Sequence, residues 1–589
     1  ILDDLVHIFQ FADVKATRSK YGRAAQMNDP VIHFYETFLA AYDPKLRKAR
    51  GVWYTPEPVV DFIVRAVDDI LKSDFGLKEG LTDESKIQLK IDHNPHETSK
   101  KHKAIQTKDV HRVQILDPAT GTGTFLTHIV KHIHKQFKND QGGWQSYVDA
   151  HLIPRLNGFE LLMASYAMAH LKLDMTLADT GYTAPRTQQN RFNIYLTNSL
   201  EEQHTDAGGL LAHYLAEESR QASRIKDQTP VMVVIGNPPY SVSSSNDSPW
   251  IRGLISDYKK DMKERNIQPL SDDYIKFIRF GQHFIDKNES GVLAYISNNS
   301  FIDGIIHRQM RKHLLESFDD IYILDLHGNA KKKETAPDGS PDQNVFDIMQ
   351  GVSINLFVKT GKKEEGALAN IHHADICGKR NTKYAVLTQA SMKSTPWKTL
   401  NPIEPYYFFT PKNFDNSESY SKGFLTSEMF ANFACGIVSA RDKILVQMSY
   451  AEVEKVVLNF QSLDEPSFRK TYSEYSDSRD WTYLAAKNDL KNSTIEKIEY
   501  RPFDSRYVLY SKKSKGILSY PRNEVFKHMI AKDNLSVVIC KQQSSFDFQH
   551  VFITKNISDK CTISSQTKEA GYVFPLYIYP EATIDGVPN

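Results

Sequence analysis

A chain of 589 residues is long enough for several domains, and its 73 basic and 72 acidic side chains leave a net charge of +1. With 40% hydrophobic and 25% charged residues it has ordinary globular usage, and 28 glycines plus 25 prolines are too few for a collagen-like or disordered chain. Apolar runs fall well short of the roughly 18 residues needed to cross a bilayer, so no membrane partner is expected. Four cysteines without CxxC spacing (Cys377, Cys435, Cys540, Cys561) read as reduced thiols of a cytoplasmic protein, not as a disulfide or zinc framework. The balanced charge neither supports nor excludes a nucleic-acid partner, because a neutral chain can still carry one positive cleft.

In chain order, residues 1–45 read as helical from Leu5, Ile8, Phe9, Phe34, Phe38, Leu39 and Tyr42 at three- and four-residue spacings. Gly51-Val-Trp-Tyr-Thr-Pro-Glu-Pro58 follows, then a helical apolar pattern from Val59 to Leu71, with Thr55 the expected N-cap and Pro56 the first helical residue. Residues 92–112 are polar and unpatterned and read as a loop. From Val113 the period changes to short strand-like runs at 113–117, 156–160, 193–196, 231–235, 291–297, 321–326 and 352–358, mostly separated by helical patterns. That alternation predicts an α/β fold whose mostly parallel sheet carries helices on both faces. After about residue 370 the sequence turns irregular and aromatic-rich, so 371–589 is expected to form further domain structure.

Two motifs carry chemistry. The first, Asp117-Pro-Ala-Thr-Gly-Thr-Gly-Thr-Phe125, is a strand, glycine turn and helix start, where a ligand can approach backbone closely. It lacks the Gly-Lys-Ser/Thr ending of a P-loop, and Leu126 replaces the small residue a dinucleotide fingerprint needs. An adenosine cofactor without phosphates fits better, with S-adenosylmethionine the leading candidate. Asp117, Ala119, Thr120, Gly121, Thr122, Gly123, Thr124 and Phe125 would line it, Glu160 would accept the ribose hydroxyls and Asn198 would reach the adenine. The competing reading is a plain strand–helix turn.

The second motif is Asn237-Pro238-Pro239-Tyr240, at the end of a buried strand, with two fixed φ angles and two missing donors. The Asn237 side-chain oxygen and the Pro238 carbonyl can each accept a hydrogen bond from an exocyclic amine, drawing its nitrogen toward tetrahedral geometry and freeing the lone pair to attack a sulfonium methyl. Tyr240 offers a π-face to a base turned out of a duplex.

On these residues the chain resembles the amino-methyltransferases. Trp53-Tyr54-Thr55-Pro56 placed before both motifs resembles the gamma class of DNA adenine-N6 methyltransferases. That resemblance implies that Tyr54, Thr55 and Pro56 contact the cofactor and that Phe346, in Asn344-Val-Phe346, supplies the second face for the flipped base. A wider similarity, in Tyr35–Pro44, Ile321–Asn329, Asn344–Met349 and Tyr500-Arg-Pro-Phe-Asp504, is to the type ISP restriction-modification enzymes, single polypeptides with nuclease, helicase-like ATPase, coupler, methyltransferase and target recognition parts. No Walker A sequence is present, and Glu84-Ser-Lys86 has no Pro-Asp ahead of it, so nuclease and motor are expected on a preceding segment. The resemblance implies a coupler-like helical segment (1–45), a Rossmann-like S-adenosylmethionine-dependent methyltransferase domain (46–370) and an α+β target recognition domain (371–589). It further implies a monomer that binds double-stranded DNA at a short or asymmetric site in a prokaryotic cytoplasm.

Lys331, Lys332 and Lys333 are candidates for backbone contact with DNA, against the reading of a solvated loop. Arg441, Arg501 and Arg506 are candidates for base readout. His128 and His132 lack a third ligand, and no metal site is expected. Rival readings are a release-factor-type protein-glutamine methyltransferase, which would not need the C-terminal 220 or so residues, and a specificity module without activity. Cytosine-N4 methylation is weaker, because that group usually carries Ser in place of Asn237.

Overall fold

The computed structural model describes residues 55–92, 105–184, 191–202, 210–241, 244, 246–262, 264, 266–472, 476–541, 550–564 and 569–580. The expected helical segment 1–45 and Tyr54 lie outside them. Among the described residues no helix is long and apolar enough to cross a membrane.

The chain divides into two compact units, the first ending at Lys412 and the second beginning at Asn413. The first is built on a nine-stranded sheet with strand order β11-β10-β8-β9-β7-β6-β3-β4-β5. Its strands are β3 (Gln114–Asp117), β4 (Leu156–Glu160), β5 (Asn193–Leu196), β6 (Val231–Gly236), β7 (Gly291–Asn298), β8 (Asp320–Asp325), β9 (Val352–Lys359), β10 (Asn370–Asp375) and β11 (Lys398–Leu400). β5-β4-β3-β6-β7 are mutually parallel, and β9 enters antiparallel between β7 and β8. β10 runs parallel to β8 and β11 antiparallel to β10. The division along the chain therefore falls beyond the boundary that the sequence suggested at 370: β10 and β11 still extend the first unit's sheet. Their short, polar runs, such as Asn370-Ile-His-His-Ala-Asp375, give no apolar signal.

Because successive side chains on a strand point to opposite faces, each central strand feeds two cores. Ile115, Val233, Ile235, Val292 and Ala294 pack on one face, against α1 (Glu57–Ser73), α2 (Thr124–His134) and α3 (Met163–Asp179). Leu116, Val234, Leu293 and Tyr295 pack on the other, against α4 (Pro249–Lys259), α5 (Asp273–Lys287) and α6 (Arg308–Ser317). Ahead of the sheet, β1 (Lys86–Asp92) and β2 (Ile105–His111) form an antiparallel hairpin in register from Lys86–His111 to Asp92–Ile105. Residues 105–111 are thus a strand, where the sequence suggested a loop. A ladder of backbone bonds, not an apolar face, holds Gln106, Thr107, Lys108 and Asp109 extended.

The second unit holds two four-stranded sheets, β12-β19-β16-β17 and β13-β15-β14-β18. The strands are β12 (Ala434–Cys435), β13 (Val446–Gln447), β14 (Thr494–Arg501), β15 (Asp504–Tyr510), β16 (Ser536–Cys540), β17 (Val551–Thr554), β18 (Ile557–Ser558) and β19 (Gly571–Pro575). Short helices cover a core that includes Trp481, Phe460, Phe468, Tyr483 and Val508, which makes this unit α+β.

Candidate active site

The chain runs outward from β3 to β4 and β5, then returns to β6 on the other side of β3. The strand order reverses between β3 and β6, and in open α/β sheets ligands bind in the crevice at the carboxyl ends of the strands at such a point. Both sequence motifs sit there: the glycine loop leaves β3, and Asn237 follows β6 directly.

Asp117 closes β3 and is 1% exposed. Its Oδ1 accepts the Ala119 N–H (3.1 Å), while Oδ2 is buried without a hydrogen-bond partner among the described residues. Burial, reinforced by the Glu160 carboxylate, outweighs the Ala119 bond and pushes the Asp117 pKa up to about 8. The loop is tightened by Thr120 Oγ1 donating to the Asp117 carbonyl (2.9 Å) and by the Gly123 N–H donating to the Thr120 carbonyl (2.8 Å). Gly123 has φ +81°, and a Cβ there would stand 3.3 Å from Ala169 of α3, so both conformation and clearance favour glycine. Ala119, Gly121 and Thr122 are partly exposed along the loop. Thr124 opens α2 and accepts from Lys172 Nζ (3.2 Å). Phe125, at 3% exposure, belongs to the apolar core beneath.

Glu160, at the end of β4, receives the Gly121 N–H on Oε2 and the Leu162 N–H on Oε1, both at 2.7 Å. Burial overrides these bonds and pushes its pKa up to about 7. Each carboxylate oxygen retains a second lone pair for another donor. Asn198 is committed differently: its Nδ2 donates to Glu201 and Asn246 (2.8 Å each), and its Oδ1 accepts the Leu200 N–H.

Asn237 is fixed from both ends of its amide. Nδ2 donates to Thr55 Oγ1 (3.0 Å), and Oδ1 accepts from the Tyr240 hydroxyl (2.9 Å). Thr55 is therefore not the helix cap expected of it. The helix starts at Glu57 with Pro56 in the capping position and no side-chain cap bond, and the Thr55 hydroxyl is turned to Asn237 instead. Burial, with the nearby Asp272 charge, lifts the Tyr240 phenol far above its ordinary pKa, so it stays a neutral donor. Pro238 is buried and Pro239 partly exposed. The turn is anchored beyond Tyr240, where Asp272 Oδ1 accepts the Ser241 N–H (2.8 Å). At Gly236 a Cβ would stand 2.8 Å from Asp117 Oδ1, so only glycine lets β6 pass that close to β3's carboxylate.

Phe346 is 5% exposed and borders the same apolar core on which Tyr240 packs. Its segment is lashed to α7 (Arg380–Gln389). Arg380 donates to the carbonyls of Asn344 (2.7 Å) and Phe346 (2.9 Å), and the Tyr384 hydroxyl to that of Val345 (2.7 Å). Lys383 and Asp342 form a fully buried ion pair at 2.5 Å. A cavity of about 650 Å³ opens here, lined in part by Phe346, Asn344, Lys379 and Arg380. Lys331, Lys332 and Lys333 are exposed on the same loop.

In the second unit the three candidate arginines are internally engaged. Arg501 pairs with Asp559 (2.8 Å), and Arg506 pairs with Asp504 (2.8 Å). Both guanidiniums lie over the Tyr500 ring, at 3.8 and 4.2 Å from its centroid. Arg441 lies over Trp481 (4.9 Å). The sequence reading has Phe503 only inside Tyr500-Arg-Pro-Phe-Asp504 and gives it no role of its own, whereas the residue sits at the tip of the β14–β15 hairpin with φ +61° and is 97% exposed. It also passed over Arg380, Lys383 and Tyr384, whose partners lie more than thirty residues away.

The chain is similar to known proteins along two separate stretches. Residues 158–331 match the Eco57I restriction-modification methylase family, and residues 428–588 match the Type ISP C-terminal specificity domain. The chain is 24% identical over 220 residues to the Type II methyltransferase M.BstVI of Geobacillus stearothermophilus, across 37% of this chain and 34% of that protein. The fold is similar to the ATP-dependent Type ISP restriction-modification enzyme LlaBIII bound to DNA, with TM-score 0.67 and 23% identity over 94% of this chain and 35% of that one. It is also similar to a nuclease-deletion mutant of the Type ISP enzyme LlaGI in complex with a DNA substrate mimic, with TM-score 0.65 and 22% identity over 92% of this chain and 43% of that one. The chain thus spans about a third of the length of M.BstVI and of LlaBIII. The methylase match thus precedes the specificity-domain match along the chain, in the order that its resemblance to the type ISP enzymes implies.

Proposed function

We propose that the chain is the modification and DNA-recognition portion of a single-chain type ISP restriction-modification enzyme, joined in the whole protein to a nuclease and a helicase-like ATPase. It binds duplex DNA at a short or asymmetric site, turns an adenine out of the helix and methylates its N6. The observation that carries the reading is the Asn237 amide, held by Thr55 and Tyr240 at the switch point beside the glycine loop.

S-adenosylmethionine supplies a methyl group on a sulfonium centre, and the residues in the crevice suit it. The unpartnered Asp117 Oδ2 awaits a donor, Glu160 has lone pairs to spare for hydroxyls, and Ala119, Gly121 and Thr122 are partly exposed to an approaching ligand. Thr55 and Pro56 stand at the mouth of α1 beside Asn237. Asn198 turns its Nδ2 to Glu201 and Asn246, so an adenine ring is left the remaining lone pair of its Oδ1 unless that side chain turns.

The target amine donates one hydrogen to Asn237 Oδ1 and one to the Pro238 carbonyl. Oδ1 has a lone pair left after Tyr240, so the amide need not rearrange. Two acceptors pull the nitrogen out of conjugation with the ring, and its lone pair becomes the nucleophile. Tyr240 and Phe346 offer aromatic faces to the extruded base. Lys331, Lys332 and Lys333 contact the DNA backbone, and Phe503, exposed at a hairpin tip, meets the DNA from the second unit.

The test is product identification. The chain is incubated with S-adenosylmethionine and mixed-sequence duplex DNA, and the digested nucleosides are separated by mass. N6-methyladenine is expected; N4-methylcytosine, or methyl transfer only to protein glutamine, contradicts the reading.

A further inference from the structure

Asp117 Oδ2 is not the sole orphaned polar atom at the switch point. Tyr295 lies on β7, which flanks β6 on the side away from β3, and it pairs in register with Gly236. Its ring belongs to the apolar cluster of Leu116, Val234 and Leu293, and the residue is 0% exposed. Its hydroxyl has no hydrogen-bond partner among the described residues. Buried hydroxyls are seldom left in that state, so the phenol calls for an acceptor.

β6 separates β3 from β7, and Gly236 is where side chains from the two can meet. A Cβ there would stand 2.8 Å from Asp117 Oδ1 and 3.7 Å from Tyr295 Cε1. With only a hydrogen in its place, the carboxylate and the edge of the phenol ring come together over the bare Cα. Burial first, and the Asp117 charge second, hold the Tyr295 pKa well above its ordinary value. The hydroxyl is therefore a neutral donor near pH 7. Asp117 Oδ2 is its complement, a buried acceptor that no donor reaches. The other titratable group acting on Asp117 is Glu160, at the end of β4, and its charge opposes ionisation of Asp117. Only the Ala119 N–H favours the anion.

We infer that Tyr295 is a positioning residue of the crevice, whose hydroxyl donates to Asp117 Oδ2, directly or through one bridging water, when that carboxyl is charged. Oδ2 keeps a second lone pair for the cationic end of a ligand. The bond favours the anion, so Tyr295 raises the fraction of chains ready to take a cation beside Asp117. When Asp117 is protonated, the phenol oxygen accepts its proton, and neither atom is stranded. The consequence for S-adenosylmethionine rests on the function proposed above, whereas the pairing itself does not.

The test titrates Asp117 in the whole chain without ligand. Infrared difference spectra follow the C=O stretch of its protonated carboxyl, identified as the band that Asp117→Asn abolishes. The midpoint is expected near pH 8 in the unaltered chain. Tyr295→Phe keeps the ring in its apolar site and removes only the hydroxyl, and is expected to move that midpoint upward by about one pH unit. A midpoint that stays in place or falls overturns the inference and leaves Tyr295 a core side chain. Calorimetry with S-adenosylmethionine reads the consequence: the variant is expected to bind about tenfold more weakly at pH 7 and nearly as well at about pH 9.5. Lost packing would not produce that convergence, and affinity that is unchanged or uniformly weaker overturns the role in ligand binding. A raised midpoint in a chain that binds no S-adenosylmethionine upholds the pairing and contradicts the cofactor reading instead.

Discussion

At the residue scale, the crevice is defined by what its polar atoms are bonded to. Asp117 illustrates the consequence. Its carboxyl is neutral when empty at pH 7, because its pKa stands at about 8. A cationic ligand binding beside Oδ2 favours the anion, so binding releases a proton. Affinity for S-adenosylmethionine is therefore expected to fall by up to about tenfold for each pH unit below 8, and to level off above it. Calorimetry at several pH values checks this, and Asp117→Asn is expected to flatten the profile. The two motifs themselves were legible in the sequence because each is contiguous. The Thr55–Asn237 bond was not, because 182 residues separate the partners. Arg501 and Arg506 looked like base readers by residue type alone, and only the structure reveals that Asp559 and Asp504 already hold them.

At the scale of elements, the Phe346 segment depends on α7. Lys383 and Asp342 are both fully buried, so removing one partner strands a charge away from water. Lys383→Met is expected to cost about 3–5 kcal/mol of stability in denaturant unfolding, whereas Lys383→Met combined with Asp342→Leu is expected to recover much of it. Gly236→Ala pushes a methyl to 2.8 Å from Asp117 Oδ1, and is expected to weaken cofactor binding more than it lowers the melting temperature. The central strands were readable because buried parallel strands such as β6 (Val231–Gly236) are apolar on both faces, and β4 and β5 fall on their expected residues. The β1–β2 hairpin, β10 and β11 were not, since polar side chains on edge or two-stranded ladders leave no hydrophobic period.

At the scale of the whole molecule, a net charge of +1 conceals the division of labour between two units of different architecture. The first unit holds every residue of the proposed transfer chemistry, and the second matches a specificity domain. Phe503→Ala is accordingly expected to weaken binding to duplex DNA by about 1–3 kcal/mol, the range for losing one aromatic contact with bases, without altering cofactor affinity. Fluorescence anisotropy with labelled duplex reads the first quantity and calorimetry the second. The α+β character of this unit was implied by the resemblance to the type ISP enzymes and not by its aromatic, irregular sequence, and its start at Asn413 was not legible, because the polar edge strands of the first sheet look equally irregular.

The central claim is that the fixed Asn237 amide activates the amine, and single-turnover methyl transfer tests it most directly. The chain, Asn237→Ala and Thr55→Val are each saturated with tritiated S-adenosylmethionine and duplex DNA, and the transfer rate is followed. The account predicts a loss of about 100- to 1,000-fold for Asn237→Ala, and of about 10- to 100-fold for Thr55→Val with DNA affinity unchanged. A Thr55→Val rate equal to that of the unaltered chain, or an Asn237→Ala variant that still transfers methyl at full speed, would contradict it.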